Sequence, residues 1–517
     1  MRVTTVCPAL LALALVIGTS RSHPLEGNRK PRSEEGTVSY SGYKLFRTDV
    51  PLPQLPVVDS LDSSDGVDVW SWRYNDQRLE YELDVLTPPD AEQQVKQVFS
   101  DYQLNYQEVI KDLQSAINEE LGEDELLWNR PGHPMTWEKY HSTEDMNQFL
   151  DYLEGRYPHL VSLIEIGQSF ENRTLRVAKV STGGENKPAI WIDGGIHSRE
   201  WVSPATAMFI LHRLVEFNWE DHEIINEFDW YILPLANPDG YEYTRHHDRL
   251  WRKTRSVNPE TPGCIGVDAN RNFGYHWMEG GSSSHPCSDI YAGPTAFSEP
   301  ETIAIRDFLM ENKDQPKPKL ISTSTPTPTP TPTHTHSNFH SPIPSSFKLP
   351  HLPFPHPSPS PSPTPQTFPH PSPSPLPLSL SLLPQQLKVY VSMHAYSQMW
   401  MLPWGFSQER PENYKDLYEV ALNATSALEE SYGTKYRIGS IPDLLYVAAG
   451  GSGDYALGAV GIPYSYSLEL RDLGSYGFIL PREQIMPTAR ETYDGIKAMA
   501  QAVFEKLQVS GSTNTGV

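Results

Sequence analysis

The chain has 517 residues, 38% hydrophobic and 20% charged, which is enough for two globular domains with real cores. A formal net charge of −23, from 64 acidic against 41 basic side chains and no long basic run, excludes the electrostatic footprint of a nucleic-acid or anionic-membrane partner. Of 48 prolines, 22 lie between Pro316 and Pro384, so an ordinary globular sequence carries one abnormal segment.

The first 22 residues read as a secretory signal: Arg2, an apolar stretch Leu10 to Ile17, then the small residues Gly18, Thr19 and Ser20. That run is too short to span a bilayer, and no later run of about eighteen apolar residues follows, so the mature protein is expected to be soluble and secreted. Cys7 leaves with the signal. Cys264 and Cys287 remain as an even pair, for which one disulfide is the default in an oxidising compartment; two thiols alone do not complete a zinc shell. Asn172-Arg173-Thr174 and Asn423-Ala424-Thr425 are glycosylation acceptors, common enough by chance to add little on their own.

Residues 24 to 130 hold 22 acidic and 10 basic side chains, about half of the net charge in a fifth of the length, and form a separate module over 23–130. Its expected strands are Tyr40 to Arg47, Val67 to Tyr74 and Tyr81 to Leu86. Helices are expected at Ala91 to Tyr102 and at Tyr106 to Leu121, the second from Val109, Ile110, Leu113, Ile117 and Leu121 at helical spacing. A second domain follows in two parts, 131–315 and 385–510, where helices alternate with strands as in an α/β fold with a largely buried sheet. Its clearest strands are Ala189 to Asp193, Asp229 to Leu235, Lys388 to Met393 and Tyr464 to Leu470. Its clearest helices are Pro204 to Phe217, Pro300 to Asn312, Tyr414 to Tyr432 and Arg482 to Leu507. Between the parts, 316–384 alternates Thr-Pro and Ser-Pro, with six histidines and no acid, and cannot form a core. It reads as a disordered low-complexity insertion or a retained intron, since a CACACA repeat encodes His-Thr as in Thr333-His334-Thr335-His336; sequencing the spliced transcript decides between them.

A catalytic zinc needs three protein ligands and one open position, so His-x-x-Glu is the pattern to seek. It occurs twice. His141-Ser142-Thr143-Glu144 sits where Ser142 and Thr143 cap an amphipathic helix, the structural reading. His197-Ser198-Arg199-Glu200 instead follows a strand and the turn Gly194-Gly195, where open α/β sheets gather their sites. His222-Glu223-Ile224-Ile225-Asn226 lacks the second histidine of the helical zinc proteases. His394, after Lys388 to Met393, is a candidate third ligand or a hydrogen-bonded core histidine. Glu469 lies in an apolar strand, where an ionised carboxylate is costly without a cation nearby. Arg199, Arg252 and Arg271 fall in the same loops and suit an anionic substrate end or a salt-bridged surface.

Five stretches together resemble the zinc metallocarboxypeptidases of the digestive A/B type: Gly194-Gly195-Ile196-His197-Ser198-Arg199-Glu200-Trp201, Asn237-Pro238-Asp239-Gly240-Tyr241, Leu250-Trp251-Arg252-Lys253-Thr254-Arg255, Gly266-Val267-Asp268-Ala269-Asn270-Arg271-Asn272 and Glu469-Leu470-Arg471-Asp472. The resemblance implies an α/β domain with a mixed central sheet and helices on both faces, preceded by a small α+β ferredoxin-like activation domain. It implies one zinc ion per catalytic domain on His197, Glu200 and His394, with Glu469 as general base and Arg252 stabilising the oxyanion. Asn270, Arg271 and Tyr446 would hold the terminal carboxylate of a peptide or protein, Arg199 would join them in substrate binding, and Cys264 would bond to Cys287. A monomeric zymogen opened by an activating protease follows from the same likeness. Two departures stand out. Arg130 precedes Pro131, a bond that trypsin-like enzymes cut poorly, and the specificity position is Gly453, where an acid marks preference for basic residues. Apolar or aromatic terminal residues are therefore expected, with neighbouring Asp454 the group that could reach in instead.

Overall fold

The computed structural model describes residues 36–62, 66–122, 133–184, 187–218, 222–313 and 386–513. The signal segment, the boundary at Arg130 and the proline-rich stretch 316–384 lie outside them. In the activation module, β1 (Lys44–Pro51), β2 (Asp68–Asn75), β3 (Glu80–Thr87) and β4 (Tyr106–Ile110) form an antiparallel sheet of order β2-β3-β1-β4. Helices Val57–Asp62 and Glu92–Asp101 fall after β1 and β3, giving the βαββαβ order of a ferredoxin-like domain around Phe46, Leu83, Val85 and Phe99. The expected helix from Tyr106 to Leu121 is a strand followed by a helix. β4 completes the edge beside β1, and Asp112 then caps Leu113–Leu121 by accepting from Ser115 N at 2.9 Å. A competent capping residue in mid-segment outweighs continuous apolar spacing.

Eight strands build the second sheet: β5 (Val161–Gln168), β6 (Thr174–Val180), β7 (Pro188–Gly194), β8 (Asp229–Leu233), β9 (Gln386–Ala395), β10 (Met399–Leu402), β11 (Arg437–Ser440) and β12 (Tyr464–Leu470). Their order is β11-β10-β12-β9-β7-β8-β6-β5, with β7 parallel to β8 and β9, β9 parallel to β12, and β10 parallel to β11 but antiparallel to β12, while β6 runs antiparallel to both β5 and β8. The chain leaves β7 toward β8 on one side and returns to β9 on the other, so a topological switch point opens beyond the carboxyl ends of β7 and β9.

Alternate residues of β7 feed two cores. Ile190 and Ile192 pack with Phe149, Met208, Leu417, Ile496 and other residues of helices Thr143–Arg156, Val202–Glu216, Tyr414–Tyr432 and Ile485–Thr513. Ala189 and Trp191 pack with Ile305 and Phe308 of helix Pro300–Glu311 on the other face. Helices thus cover both faces, as expected from sequence. Strands β5, β6, β10 and β11 went unread there because two are four residues long and β5 is a half-buried edge without clean alternation. His141 takes its structural reading: its ring bonds to Thr136 N and Asp145 at 3.0 Å each, beneath a Ser142–Asp145 capping box.

Two closures matter for the site. Cys264 and Cys287 are disulfide-bonded. Leu387 N donates to Asn312 O at 3.4 Å, so the chain returns at residue 387 to the point it reached at residue 312.

Glu301 is 1% exposed, with Oε1 accepting from Phe170 N at 3.0 Å and Oε2 without a hydrogen-bond partner among the described residues. Burial pushes its carboxyl up to about 8, against the pull of the Phe170 N–H. The folded chain therefore keeps a proton that the unfolded chain releases near 4.5, and stability falls as pH rises between those values. Glu301→Gln keeps the acceptor and removes the charge. Its melting temperature should exceed the wild type's by a few degrees at pH 9 and by little at pH 5; an equal difference at both would reject the assignment.

Candidate active site

Three segments converge at the switch point. β7 ends in the turn Gly194-Gly195, where Gly195 has φ +65° and a Cβ would lie 2.6 Å from the Leu235 side chain, so only glycine turns the chain tightly enough to deliver His197 and Glu200. β9 carries Ser392 and His394 at alternate positions on one face. β12 places Glu469 directly opposite His394 in the parallel ladder.

His197 Nδ1 lies 2.9 Å from Glu200 Oε1, and His394 Nδ1 lies 3.1 Å from His197 Nδ1 and 3.2 Å from Glu200 Oε2. These buried residues are the one group of three among the described residues whose donor atoms lie close enough, within 4.8 Å of one another, to hold a metal ion. Their partners fix which nitrogens face inward. His197 Nε2 meets Asp268 Oδ1 at 3.1 Å, which assigns the ring hydrogen there and leaves the Nδ1 lone pair free. His394 Nε2 lies 3.2 Å from Ser392 Oγ, whose hydrogen goes to Asp193 Oδ1 at 2.7 Å, so this ring also presents a bare Nδ1. Two lone pairs facing each other beside a carboxylate repel unless a cation sits between them, and the donor set of two imidazoles and a carboxylate fits zinc.

The electrostatics point the same way. Burial, then Arg252, pushes the His197 imidazole down toward its neutral, ligating form. Burial opposes the charged Glu200 carboxylate, and positive charge shared with His197 and His394, a proton or a metal ion in its place, holds it well below the usual range. Asp268, also resisted by burial, is held well below its ordinary value by Arg252, His197 and Arg271; Arg252 Nη2 donates to it at 2.8 Å. Glu469 is the opposite case. Burial and then the Glu200 charge push its carboxyl well up, against Arg252 and Arg271, and its Oε2 has no hydrogen-bond partner among the described residues.

The other candidates ring this centre. Arg271 is buried, donating from Nε to Gly281 O at 2.9 Å and from Nη1 to Asn270 O at 2.9 Å, with Nη2 3.3 Å from the Tyr446 hydroxyl. Asn270 Oδ1 accepts from Ser452 N at 2.9 Å, which turns its Nδ2 toward His394 Nε2, 3.4 Å away. A Cβ on Gly453 would stand 3.2 Å from Ser467 Oγ and 3.5 Å from Ser465 Oγ. Asp454 turns elsewhere. Its buried carboxylate accepts from Gly405 N at 2.9 Å and Phe406 N at 3.0 Å, so it does not stand in for an acid at position 453.

Arg199 joins the activation module, with Nη1 3.3 Å from Asp68 and its guanidinium 4.2 Å from the Phe478 ring. Beside it, Arg249 stacks on Trp201 at 3.8 Å and grips Glu120 through two bonds of 2.6 and 2.7 Å, while also donating to Arg199 O and Phe478 O. The Tyr396 hydroxyl, two residues beyond His394, donates to the fully buried Asp84 at 2.8 Å.

Residues 146–326 and 363–495 match the family model described as zinc carboxypeptidase. The chain belongs to the zinc carboxypeptidase family. Residues 53–120 match the carboxypeptidase activation peptide, so this is a zinc-dependent metallocarboxypeptidase, an exopeptidase of zymogen type. Carboxypeptidase B of Astacus astacus is 38% identical over 369 residues, 71% of this chain and 98% of that protein. Carboxypeptidase A2 of Rattus norvegicus is 35% identical over 422 residues, 80% of this chain and 83% of its own. The solved carboxypeptidase A of Helicoverpa armigera aligns with TM-score 0.70 at 26% identity over 90% of this chain and 98% of its own, and thrombin activatable fibrinolysis inhibitor with 0.69 at 28% over 90% and 99%.

Sequence reasoning gave no role to Asp268, Ser392, Asp193 or Arg249, although Asp268 stands two residues before Asn270 in a quoted stretch. Glu120 and Arg249 lie 129 positions apart, and only folding pairs them. Both are buried, so removing one charge strands the other, at a cost of about 3–5 kcal/mol to the covered state. Glu120→Gln should raise the intrinsic activity of the uncut carboxypeptidase on small substrates at least ~10-fold, while Asp68→Asn, at a partly exposed pair, should change it much less. Equal effects would show that Glu120 is no latch.

Proposed function

We propose that this chain is a secreted, monomeric procarboxypeptidase whose mature form binds one zinc ion through His197, Glu200 and His394 and releases apolar or aromatic residues from peptide and protein carboxyl termini. The observation that carries this is the convergence of three ligand atoms beside Glu469, a carboxyl with a buried, unpartnered oxygen and a raised proton affinity. Bound zinc supplies Lewis acidity, polarising the scissile carbonyl and acidifying water. Arg271, with Asn270 and Tyr446, clamps the terminal carboxylate and so sets the register of the cut one bond from the end. Arg252, already oriented by Asp268, offers its guanidinium to the oxyanion as the carbonyl becomes tetrahedral. Glu469 takes the proton from the attacking water and returns it to the leaving amine as the C–N bond breaks. The described residues on either side of 316–384 meet through the hydrogen bond from Leu387 N to Asn312 O, which supports reading that stretch as an addition to the catalytic sequence. The signal-like amino terminus and the Cys264–Cys287 bond support export, and removal of the activation module calls for a protease.

Glu469→Gln should retain one zinc per chain, measured by elemental analysis, while kcat falls by about 10²–10⁴ on hippuryl-Phe. Loss of the metal as well, or full activity without it, would defeat this assignment. For specificity, hippuryl-Phe should turn over faster than hippuryl-Arg by roughly 10-fold or more, and Gly453→Asp should narrow or reverse the ratio by giving a guanidinium its partner. Faster hydrolysis of the arginine substrate by the unaltered enzyme would overturn the apolar preference.

A further inference from the structure

The hairpin between β5 and β6 takes no part in the chemistry, yet it is built with care. Ser169 N donates to Arg173 O at 2.8 Å and Asn172 N to Ser169 O at 3.0 Å, and Asn172 has φ +65°. This is a β-turn closed by a left-handed residue, a position where asparagine is among the few side chains at ease. The loop is pinned from beneath by the buried Asp239, which accepts from Ser169 Oγ and Glu171 N at 2.6 Å and from Arg173 Nη1 at 2.7 Å. Phe170 N is tied to Glu301.

Those anchors use the inward groups and leave an alternating outward set. Phe170 is 43% exposed, which leaves one apolar ring face open to a ligand beside Asn172. Asn172 is exposed and Thr174 half-buried, and neither the amide nor the hydroxyl makes a hydrogen bond among the described residues. Ring, amide and hydroxyl therefore fall at positions i, i+2 and i+4 of one preorganised tip.

We infer that Asn172 carries an N-linked glycan and that Phe170 is the surface on which its first sugar rests. The inference rests on the secreted reading above. Asn172-Arg173-Thr174 is an acceptor tripeptide; the Asn172 amide nitrogen loses a proton and bonds to the anomeric carbon of a lipid-diphosphate-linked oligosaccharide, and the lipid diphosphate leaves. The apolar C–H face of a pyranose stacks on an aromatic ring and covers the apolar surface that Phe170 otherwise exposes. The second acceptor also has an exposed asparagine but lacks the turn, the ring and the free hydroxyl. Asn423 lies within helix Tyr414–Tyr432, Thr425 is buried with its hydroxyl on Leu422 O, and the residue two before Asn423 is the buried Ala421. Because β6 runs antiparallel to β8 and β8 runs with β7, the Asn172 tip stands at the same end of the sheet as the metal site, two strands beyond β7.

The test is to secrete the full chain from a eukaryotic host behind a heterologous signal sequence and to weigh the proteolytic peptides with and without peptide N-glycosidase. Most molecules should carry glycan at Asn172, Asn172→Gln should lose it without change in hydrolysis of hippuryl-Phe, and Phe170→Ser should lower occupancy severalfold. Melting temperature should drop on enzymatic deglycosylation of the wild type and of Phe170→Tyr, which keeps a ring, but not of Phe170→Ser. An unmodified Asn172, or modification at Asn423 alone, overturns the site; occupancy and thermal gain unchanged in Phe170→Ser overturn the role of the ring. A parallel chain with its own leader separates the two readings: its retention inside the cell, with Asn172 modified behind the heterologous signal, rejects native export and leaves the acceptor assignment standing.

Discussion

Two imidazole nitrogens face each other beyond the carboxyl end of β7, where His197 meets His394 of the adjacent β9, and the hydrogen-bond network of the site is arranged around this confrontation. It is unfavourable by itself. What enforces it is a set of hydrogen bonds behind each ring: Asp268 behind His197, and the Ser392–Asp193 pair behind His394. Asp268 in turn is held ionised by Arg252, so one carboxylate orients both the His197 ring and the Arg252 guanidinium. In the mechanism proposed above, that carboxylate would couple metal binding to oxyanion stabilisation at the sheet's crossover.

Among the described residues, the activation module makes its hydrogen bonds and ion pairs at the rim of this site, and none of those bonds goes to His197, Glu200 or His394. Its carboxylates meet arginines and a tyrosine that flank the centre: Asp68 on Arg199, Glu120 on Arg249 and Asp84 on Tyr396. Of these only Glu120–Arg249 is a fully buried charge pair, which contributes little net stability compared with apolar packing but tolerates no misalignment. The three contacts fix where the cover sits. Trp70 against Phe478, with ring centres 5.0 Å apart, adds the apolar contact that the charges align.

Sequence revealed the long apolar strands β7, β9 and β12 and the helices that pack on them, because burial on both faces leaves a continuous hydrophobic signature. It also revealed His197 and Glu200, since both lie in one short motif at a strand end. Position alone could not join His394 to them across nearly two hundred residues; that came from family likeness, and geometry then supplied the reason. The join between β4 and the following helix was hidden because Val109, Ile110, Leu113 and Ile117 satisfy helical spacing across it, while Asp112 gave the only local sign of a break. The partners of the histidines stayed hidden for another cause. Asp193 is the one polar side chain of β7 and Ser392 sits in the otherwise apolar middle of β9, and their value depends on adjacency between the two strands.

The hydrogen bond between Asn312 and Leu387 has a consequence for how such enzymes can diversify. Where the two ends of a junction already meet, lengthening the chain between them costs only about 0.6 kcal/mol per doubling, so the strand that bears His394 can keep its place. Cargo of engineered kind, a sensor or an affinity module, could be carried at that junction by a working peptidase.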